Sequence, residues 1–369
     1  MGRVKVLQVI ECGGPGGSGQ QVAALCNALD PARFEVGLAY AVRPGTAPEE
    51  YRRTAPGAAQ AFHIPEMTRE ISLGRDLAAL RRLTELFRRE KPDVVHAHCS
   101  KAGALARLAA RRAGVPRTFY SPRGYSFLML DRPAASRAFY RAIERSVSWI
   151  GEIVAVSESE AALARTLSWG KPVHVAPDPY WPALPPPRED GKGGAVTVGA
   201  CGRLTYARNP EAFVRLAQRL TDSRNDLRCL WVGDGELGEH MREMIHDMNL
   251  SSRLELTGWL APEAASERLR GLDVLVHFSR WEGLPNVVLE AMAAGVPVVA
   301  SDVPGNRDAV TDGETGLIAK DEVALLEKTL ELVDDPARRK RMGEAARERV
   351  ARRFSPRRTV EILERLYAG

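Results

Sequence analysis

Twice along this chain short apolar runs alternate with amphipathic stretches, and the two series are parted by a segment that suits neither. Val4–Ile10, Phe34–Val42, Asp93–His98, Thr118–Ser121 and Ile153–Val156 read as strands, with helical patterns at Gln20–Leu29, Gly74–Arg89 and Ala102–Ala113. Pro179, Pro182, Pro185, Pro186 and Pro187, then Gly191, Gly193 and Gly194, break the alternation as a linker does. It restarts with Ala195–Ala200, Leu227–Gly233, Leu254–Thr257, Val274–Phe278, Val298–Ala300 and Gly316–Ile318. Such β–α alternation requires crossover connections, and hence parallel sheets covered by helices. The chain is also too long for one typical core. The expected fold class is therefore α/β, with two doubly wound domains at residues 1–180 and 195–354. A Pro/Gly-rich linker, 181–194, joins them, and a final helix at 355–369 follows.

Composition excludes some classes. No apolar run reaches the roughly 20 residues that span a bilayer. Val4–Ile10 runs into a glycine-rich loop without a small-residue cleavage site, so it reads as a strand and not a signal peptide. Cys12, Cys26, Cys99, Cys201 and Cys229 are odd in number and lack zinc-like or disulfide-framework spacing. A cytoplasmic protein with reduced thiols is expected. His96-Ala97-His98 is the only close histidine pair; its rings are expected on opposite faces of a strand, and no metal site is expected.

Charge is unevenly spread. Residues 1–180 hold 25 Lys and Arg against 17 Asp and Glu, while the remainder holds 27 against 30. The excess gathers in residues 101–150, where ten basic side chains face only Asp131 and Glu144. That patch suits an anionic partner such as phospholipid headgroups, a lipid pyrophosphate or nucleic acid; a solvated basic helix face accounts for it equally well. Ser126–Leu130 adds exposed-looking apolar residues, and Arg132, Arg137, Arg141 and Arg145 recur around Phe139, Tyr140 and Ile143. Basic and apolar faces together favour an anionic bilayer surface. No nucleic-acid-binding motif accompanies them, so no nucleic acid partner is expected.

Three loops carry candidate chemistry. In Ser279-Arg280-Trp281-Glu282-Gly283-Leu284-Pro285, Glu282 follows a strand's carboxyl end, where doubly wound folds bind ligands. Gly283, Leu284 and Pro285 lead into a helix whose first amides suit phosphate. Glu290 lies about two turns on, between Leu289 and Ala291, where an unpaired carboxylate is costly. Gly202–Pro210 follows another strand, and its Arg203 and Arg208 form a plausible pyrophosphate clamp. Gly14-Pro15-Gly16-Gly17-Ser18-Gly19 matches a dinucleotide fingerprint, but the second strand ends in Ala41-Val42-Arg43 and not in the acidic residue that NAD requires.

The segment from Ser279 through Glu290 to Ser301 resembles the E-x7-E region of glycosyltransferase family 4, whose members are retaining, metal-independent GT-B enzymes. That fold has two Rossmann-like domains facing a central cleft, and its last helix crosses back to the first domain. The resemblance implies that Glu282 contacts the transferred sugar and Glu290 the ribose hydroxyls. It makes Arg203 and Arg208 phosphate ligands, Gly16 and Gly17 the turn whose amides approach donor or acceptor, and Gly258, in Thr257-Gly258-Trp259, a neighbour of the base. Trp259 reads equally well as core, and Asp234 and Glu236 as a structural turn. The implied donor is a nucleoside-diphosphate sugar, UDP favoured over GDP, with no separate cofactor. The basic and apolar surface of residues 101–150 favours as acceptor a lipid-pyrophosphate-linked glycan, as in bacterial surface-polysaccharide assembly, reached from the inner face of a cell membrane. Two departures stand out. Arg123, in Ser121-Pro122-Arg123-Gly124, replaces the family's histidine and is expected to reach donor or acceptor. Asp178-Pro179-Tyr180-Trp181 replaces Asn-Gly-Val-Asp, and is expected to touch only the hinge. A small soluble acceptor, a sugar-nucleotide epimerase, a dehydrogenase and a non-catalytic nucleotide-sugar-binding protein remain as rival readings.

Overall fold

The computed structural model describes residues 2–14, 16–186 and 195–369, so the Gly-rich end of the expected linker lies outside the described residues. The chain forms two compact units, Met1–Trp181 with Ser355–Gly369, and Pro182–Phe354.

In the first unit the elements are β1 (Val4–Gly13), α1 (Gly17–Ala28), β2 (Phe34–Val42), α2 (Pro48–Arg53), β3 (Gln60–His63), α3 (Leu73–Glu90), β4 (Val94–His98), α4 (Ser100–Ala113), β5 (Arg117–Ser121), α5 (Ala134–Val147), β6 (Glu152–Ala155), α6 (Glu158–Leu167) and β7 (Val173–Val175). The strands form one parallel sheet in the order β3-β2-β1-β4-β5-β6-β7. Sequence patterning misses β3 and β7. Both are edge strands of three or four residues with no fully buried position, so neither shows a readable apolar run.

The second unit comprises β8 (Val196–Cys201), α7 (Pro210–Ser223), β9 (Leu227–Val232), α8 (Gly238–Asp247), β10 (Leu254–Leu256), α9 (Pro262–Arg270), β11 (Val274–His277), α10 (Asn286–Ala293), β12 (Val298–Ser301), α11 (Pro304–Ala309), β13 (Leu317–Ala319), α12 (Glu322–Asp334) and α13 (Pro336–Arg353). Its parallel sheet runs β10-β9-β8-β11-β12-β13. The last helix, α14 (Pro356–Ala368), belongs to the first unit, where Leu363 and Tyr367 are buried with the side chains of α1, β1 and β2.

Helices on both faces bury the central strands, and Val6, Val9, Ile10, Val274, Leu275 and Val276 are sealed from water. β1 and β4 depart from this rule. Gln8, His96 and His98 are almost wholly buried in them, so each must find a hydrogen-bond partner inside the protein. Each sheet reverses its strand order once, between β1 and β4 and between β8 and β11. Loops at the carboxyl ends of those strands are where an open α/β sheet places its ligands.

Candidate functional site

In the second unit, residues 202–209 follow β8 and residues 278–285 follow β11, so the two loops flank the reversal point. Arg208 reaches across and forms an ion pair with Glu282. Its Nη1 also donates to Ser279 Oγ at 3.3 Å. His277, the last residue of β11, lies 2.8 Å from Glu282 Oε1 through its Nε2. Burial, and then the charge of Arg208, hold the His277 imidazole well below its usual range. The same Nε2 lies 3.2 Å from Arg208 Nη1 and 3.1 Å from Ser279 Oγ, so the neutral ring sits at the centre of the cluster. Burial lowers the Arg208 guanidinium to about 10, which leaves it charged at neutral pH.

The Glu282 loop is held from beneath. Ser301 Oγ donates to Ser279 O at 2.6 Å, and Asn306 Nδ2 donates to both Ser301 O and Ser301 Oγ at 3.0 Å. A Cβ at Gly305 would fall 2.4 Å from Gly283 O and 2.9 Å from Glu282 Cβ, so only glycine lets α11 approach this closely. Leu284 and Pro285 are buried. Pro285 caps α10 from one position before the helix and not from within its first turn, and no side chain caps the helix amides.

Glu290 projects from α10 beside Cys201, and no hydrogen bond or ion pair reaches its carboxylate among the described residues. Burial raises its pKa. By exposed area Glu290 is only partly buried, so its carboxylate is open to a ligand that donates to it. Arg203 differs from Arg208: it is half exposed and pairs with Glu236 at 2.9 Å. Asp234 accepts from Gly235 N at 2.8 Å and pairs with Arg242, as a structural turn does. Gly258 bridges to Gly233 with φ 69°. The neighbouring Trp259 is 67% exposed, which removes it from the core.

In the first unit the glycine-rich turn leaves β1 at the other reversal point. Gly16 caps α1 without a side-chain hydrogen bond, and Gly17 opens the helix; Pro15 lies outside the described residues. A Cβ at Gly19 would meet Gly14 O at 2.5 Å, and one at Gly16 would meet the Arg43 guanidinium at 3.1 Å. Arg43 thus lies over the turn.

Below it runs a buried relay with one direction of donation. Arg123 Nε donates to His98 Nδ1 at 3.3 Å, and His98 Nε2 to Gln8 Oε1 at 2.7 Å. Gln8 Nε2 then donates to Tyr367 Oη at 3.3 Å, and Tyr367 Oη to His96 Nδ1 at 2.5 Å. His96 Nε2 donates to Ser121 Oγ at 2.9 Å, which donates to Val154 O at 2.7 Å. Each group uses one donor and one acceptor, which assigns both histidines the neutral Nε2–H tautomer. Burial pushes His96 down to about 3 and His98 well below its usual range. The two rings are 4.2 Å apart on one face of β4, contrary to the expectation of opposite faces: residues i and i+2 of a strand share a face.

Arg123, at φ 52°, pairs with Asp178, and both side chains are at least nine-tenths buried. Asp178 is therefore more than a hinge residue, which corrects the sequence expectation. The sequence also suggests no clustered metal ligands. The fold nonetheless brings Glu11, Cys12 and Cys99 together, because β1 and β4 are neighbours.

Residues 188–349 match the model of glycosyl transferases group 1, and residues 16–181 match that of the glycosyl transferase 4-like domain. The chain belongs to this glycosyltransferase family. It is 29% identical over 325 residues to the UDP-Gal:alpha-D-GlcNAc-diphosphoundecaprenol alpha-1,3-galactosyltransferase of Escherichia coli, covering 84% of this chain and 83% of that one. It is 26% identical to the capsular polysaccharide biosynthesis glycosyltransferase CapM of Staphylococcus aureus, covering 83% and 84%. Among solved structures, sucrose-phosphate synthase from Thermosynechococcus elongatus superposes with a TM-score of 0.84 at 20% identity, covering 99% and 98%. Anabaena HepE in complex with UDP and glucose superposes at 0.79 and 17% identity over the whole of both chains. The fold is GT-B.

Within this glycosyltransferase the reversal point of the second sheet gathers Arg208 and Glu282, with α10 carrying Glu290. Arg203 stands outside that cluster. Sequence reasoning misses His277, whose only signal is its place at the end of a strand two residues before the motif. It also misses Asp178 as the partner of Arg123.

Proposed function

We propose that this glycosyltransferase moves a sugar from a UDP-sugar to a hydroxyl of a lipid-linked glycan, with retention at the anomeric carbon and without a metal ion in the transfer step. The observation that carries this reading is the Arg208–Glu282–His277 cluster at the sheet reversal, with the unpaired Glu290 on the adjoining helix. Arg208 and the uncapped amides of α10 supply positive potential for a departing diphosphate, the role a divalent ion plays in other transferases. Glu290 accepts from ribose hydroxyls, and Glu282 from the sugar. The bond from the anomeric carbon to the diphosphate oxygen breaks, and the acceptor oxygen bonds on the same face. The acceptor's proton passes to the leaving phosphate oxygen.

The E. coli relative, by its name, uses UDP-Gal and a diphosphoundecaprenol-linked sugar, which supports a lipid-linked acceptor here. The first unit adds physical support. Leu130, Phe139, Trp149 and Trp169 are exposed, and Arg111 and Arg145 lie over the two tryptophan rings. Phe127, expected on the surface, is buried instead, so the apolar contribution comes from α5 and its flanks. No helix among the described residues is long and apolar enough to cross a membrane. A peripheral position on an anionic bilayer fits this surface.

The test is transfer from a panel of UDP-, GDP- and ADP-sugars to an undecaprenyl-diphosphate-linked sugar, with chelator present, and NMR assignment of the new anomeric centre. Transfer from a UDP-sugar with retained configuration is expected. Inversion, or release of an altered nucleotide sugar without acceptor, would overturn the reading.

A further inference from the structure

Glu11 and Cys12 lie at the end of β1, and Cys99 stands between β4 and α4, at the reversal point of the first sheet. Their sequence separation hides the cluster; the β1–β4 pairing creates it. The Cys12 and Cys99 sulfurs are 3.6 Å apart. Those sulfurs and a Glu11 carboxylate oxygen all lie within 4.8 Å of one another. Cys99 has φ 67°, a backbone conformation that non-glycine residues rarely adopt.

We propose that Glu11, Cys12 and Cys99 form a binding site for one thiophilic divalent cation of the zinc type, with solvent as the fourth ligand. Zinc–sulfur bonds of about 2.3 Å at a tetrahedral angle set two sulfurs roughly 3.8 Å apart. The present separation is close to that spacing. A disulfide would need the same atoms to close to about 2.0 Å. The Glu11 carboxylate is already oriented, since Lys101 N and Ala102 N donate to its two oxygens at 3.3 Å each. Ligating carboxylates are commonly fixed in this way by outer hydrogen bonds. Two thiolates and one carboxylate around a divalent ion leave one negative charge. The positive charges of Arg43 and Arg69 act on Cys12 and offset that excess. Cys99 is only partly buried, which gives an ion a route in. On loading, the ligands release their protons to solvent. The ion would tie the glycine-rich turn to the start of α4. This proposal does not rest on the transfer reaction proposed above.

The experiment uses the full chain, stripped with chelator and kept under a non-thiol reductant, and titrates it with cadmium as a spectroscopic probe for zinc. Expected are one cadmium per chain, an ultraviolet thiolate-to-cadmium charge-transfer band, and its loss on adding zinc. Cys12→Ser and Cys99→Ser should each weaken binding by about 10-fold or more, whereas Cys201→Ser, in the other unit, should leave it unchanged. Zinc should also raise the melting temperature of the wild type but not of the Cys12→Ser/Cys99→Ser double variant. A wild type without the band would overturn the proposal, and this needs no variant to fold. So would a folded double variant that binds cadmium as the wild type does.

Discussion

Arg123 and Asp178, 55 residues apart, form an ion pair inside the first unit, and each stands where its family usually has another residue. The arginine replaces a histidine, and the aspartate opens the segment that replaces Asn-Gly-Val-Asp. The two departures meet in one buried ion pair. Burial raises the Asp178 pKa while Arg123 opposes the rise, and Arg123 in turn leads the hydrogen-bond relay through His98 and Gln8 to Tyr367.

Removing one partner of a buried pair strands the other charge and commonly costs about 3–5 kcal/mol. Arg123→Ala and Asp178→Asn should therefore each destabilise the protein strongly in urea unfolding, and the double variant should lose much less than the sum. Arg123→His, although it restores the usual family residue, should not recover stability while Asp178 remains. Additive losses in the double-mutant cycle would show that the two side chains do not act together.

The relay also predicts a pH dependence. His96 sits at about 3 in the folded protein, against roughly 6.5 for an exposed imidazole. Between these values the unfolded chain binds a proton that the folded one refuses. The stabilising contribution is thus complete above about pH 6.5 and is lost as pH falls toward 3. His98 and His277 are lowered in the same direction. Glu11 and Glu160, raised by burial to about 8 and about 7, act oppositely, and their contribution is lost as pH rises through those values. His96→Asn should remove about 1.4 kcal/mol per pH unit from the slope of stability between about pH 4 and 6. An unchanged slope would mean that His96 is not buried neutral.

The two clamp arginines should separate in donor binding. Arg208 is held by Glu282 and Ser279 at the sheet reversal, whereas Arg203 is half exposed on Glu236. Arg208→Ala should weaken UDP-sugar binding by about 1.5–3 kcal/mol, Glu290→Ala by a similar amount, and Arg203→Ala by less. The Glu290 carboxylate accepts hydroxyl donors best when ionised, so affinity should rise with pH through its raised pKa, and Glu290→Gln should flatten that rise. Calorimetry at several pH values decides the matter. Unchanged affinity in Arg208→Ala and Glu290→Ala would remove both from the donor site.

The contrast between what is legible and what is not follows chain distance. Glu282, Gly283, Leu284, Pro285 and Glu290 are readable because one strand, one turn and one helix place them within a short stretch. The central strands are equally plain, because parallel strands buried on both faces read as apolar runs. β3 and β7 leave no such trace. Asp178 with Arg123, Cys12 with Cys99, and Tyr367 with His96 depend on which strands and helices become neighbours, and local patterning carries no signal of that. His96 and His98 were within reach, since the two-residue period of a strand places them on one face.

The surface of α5 sets the last prediction. Arg141 and Arg145 are exposed on this helix with Phe139, which is 55% exposed, and Leu130 and Trp149 lie just beyond its ends. Apolar side chains interleaved with arginines bind anionic headgroups at about 1 kcal/mol per basic residue near the surface, and salt screens this attraction. The full-length protein should therefore float with vesicles containing anionic lipid and not with neutral vesicles, and high salt should release it. Arg141→Glu/Arg145→Glu should abolish flotation while leaving the fold unchanged by circular dichroism, since neither side chain is buried. Equal, negligible association with both kinds of vesicle, together with efficient transfer to a water-soluble acceptor, would leave this patch as a solvated helix face.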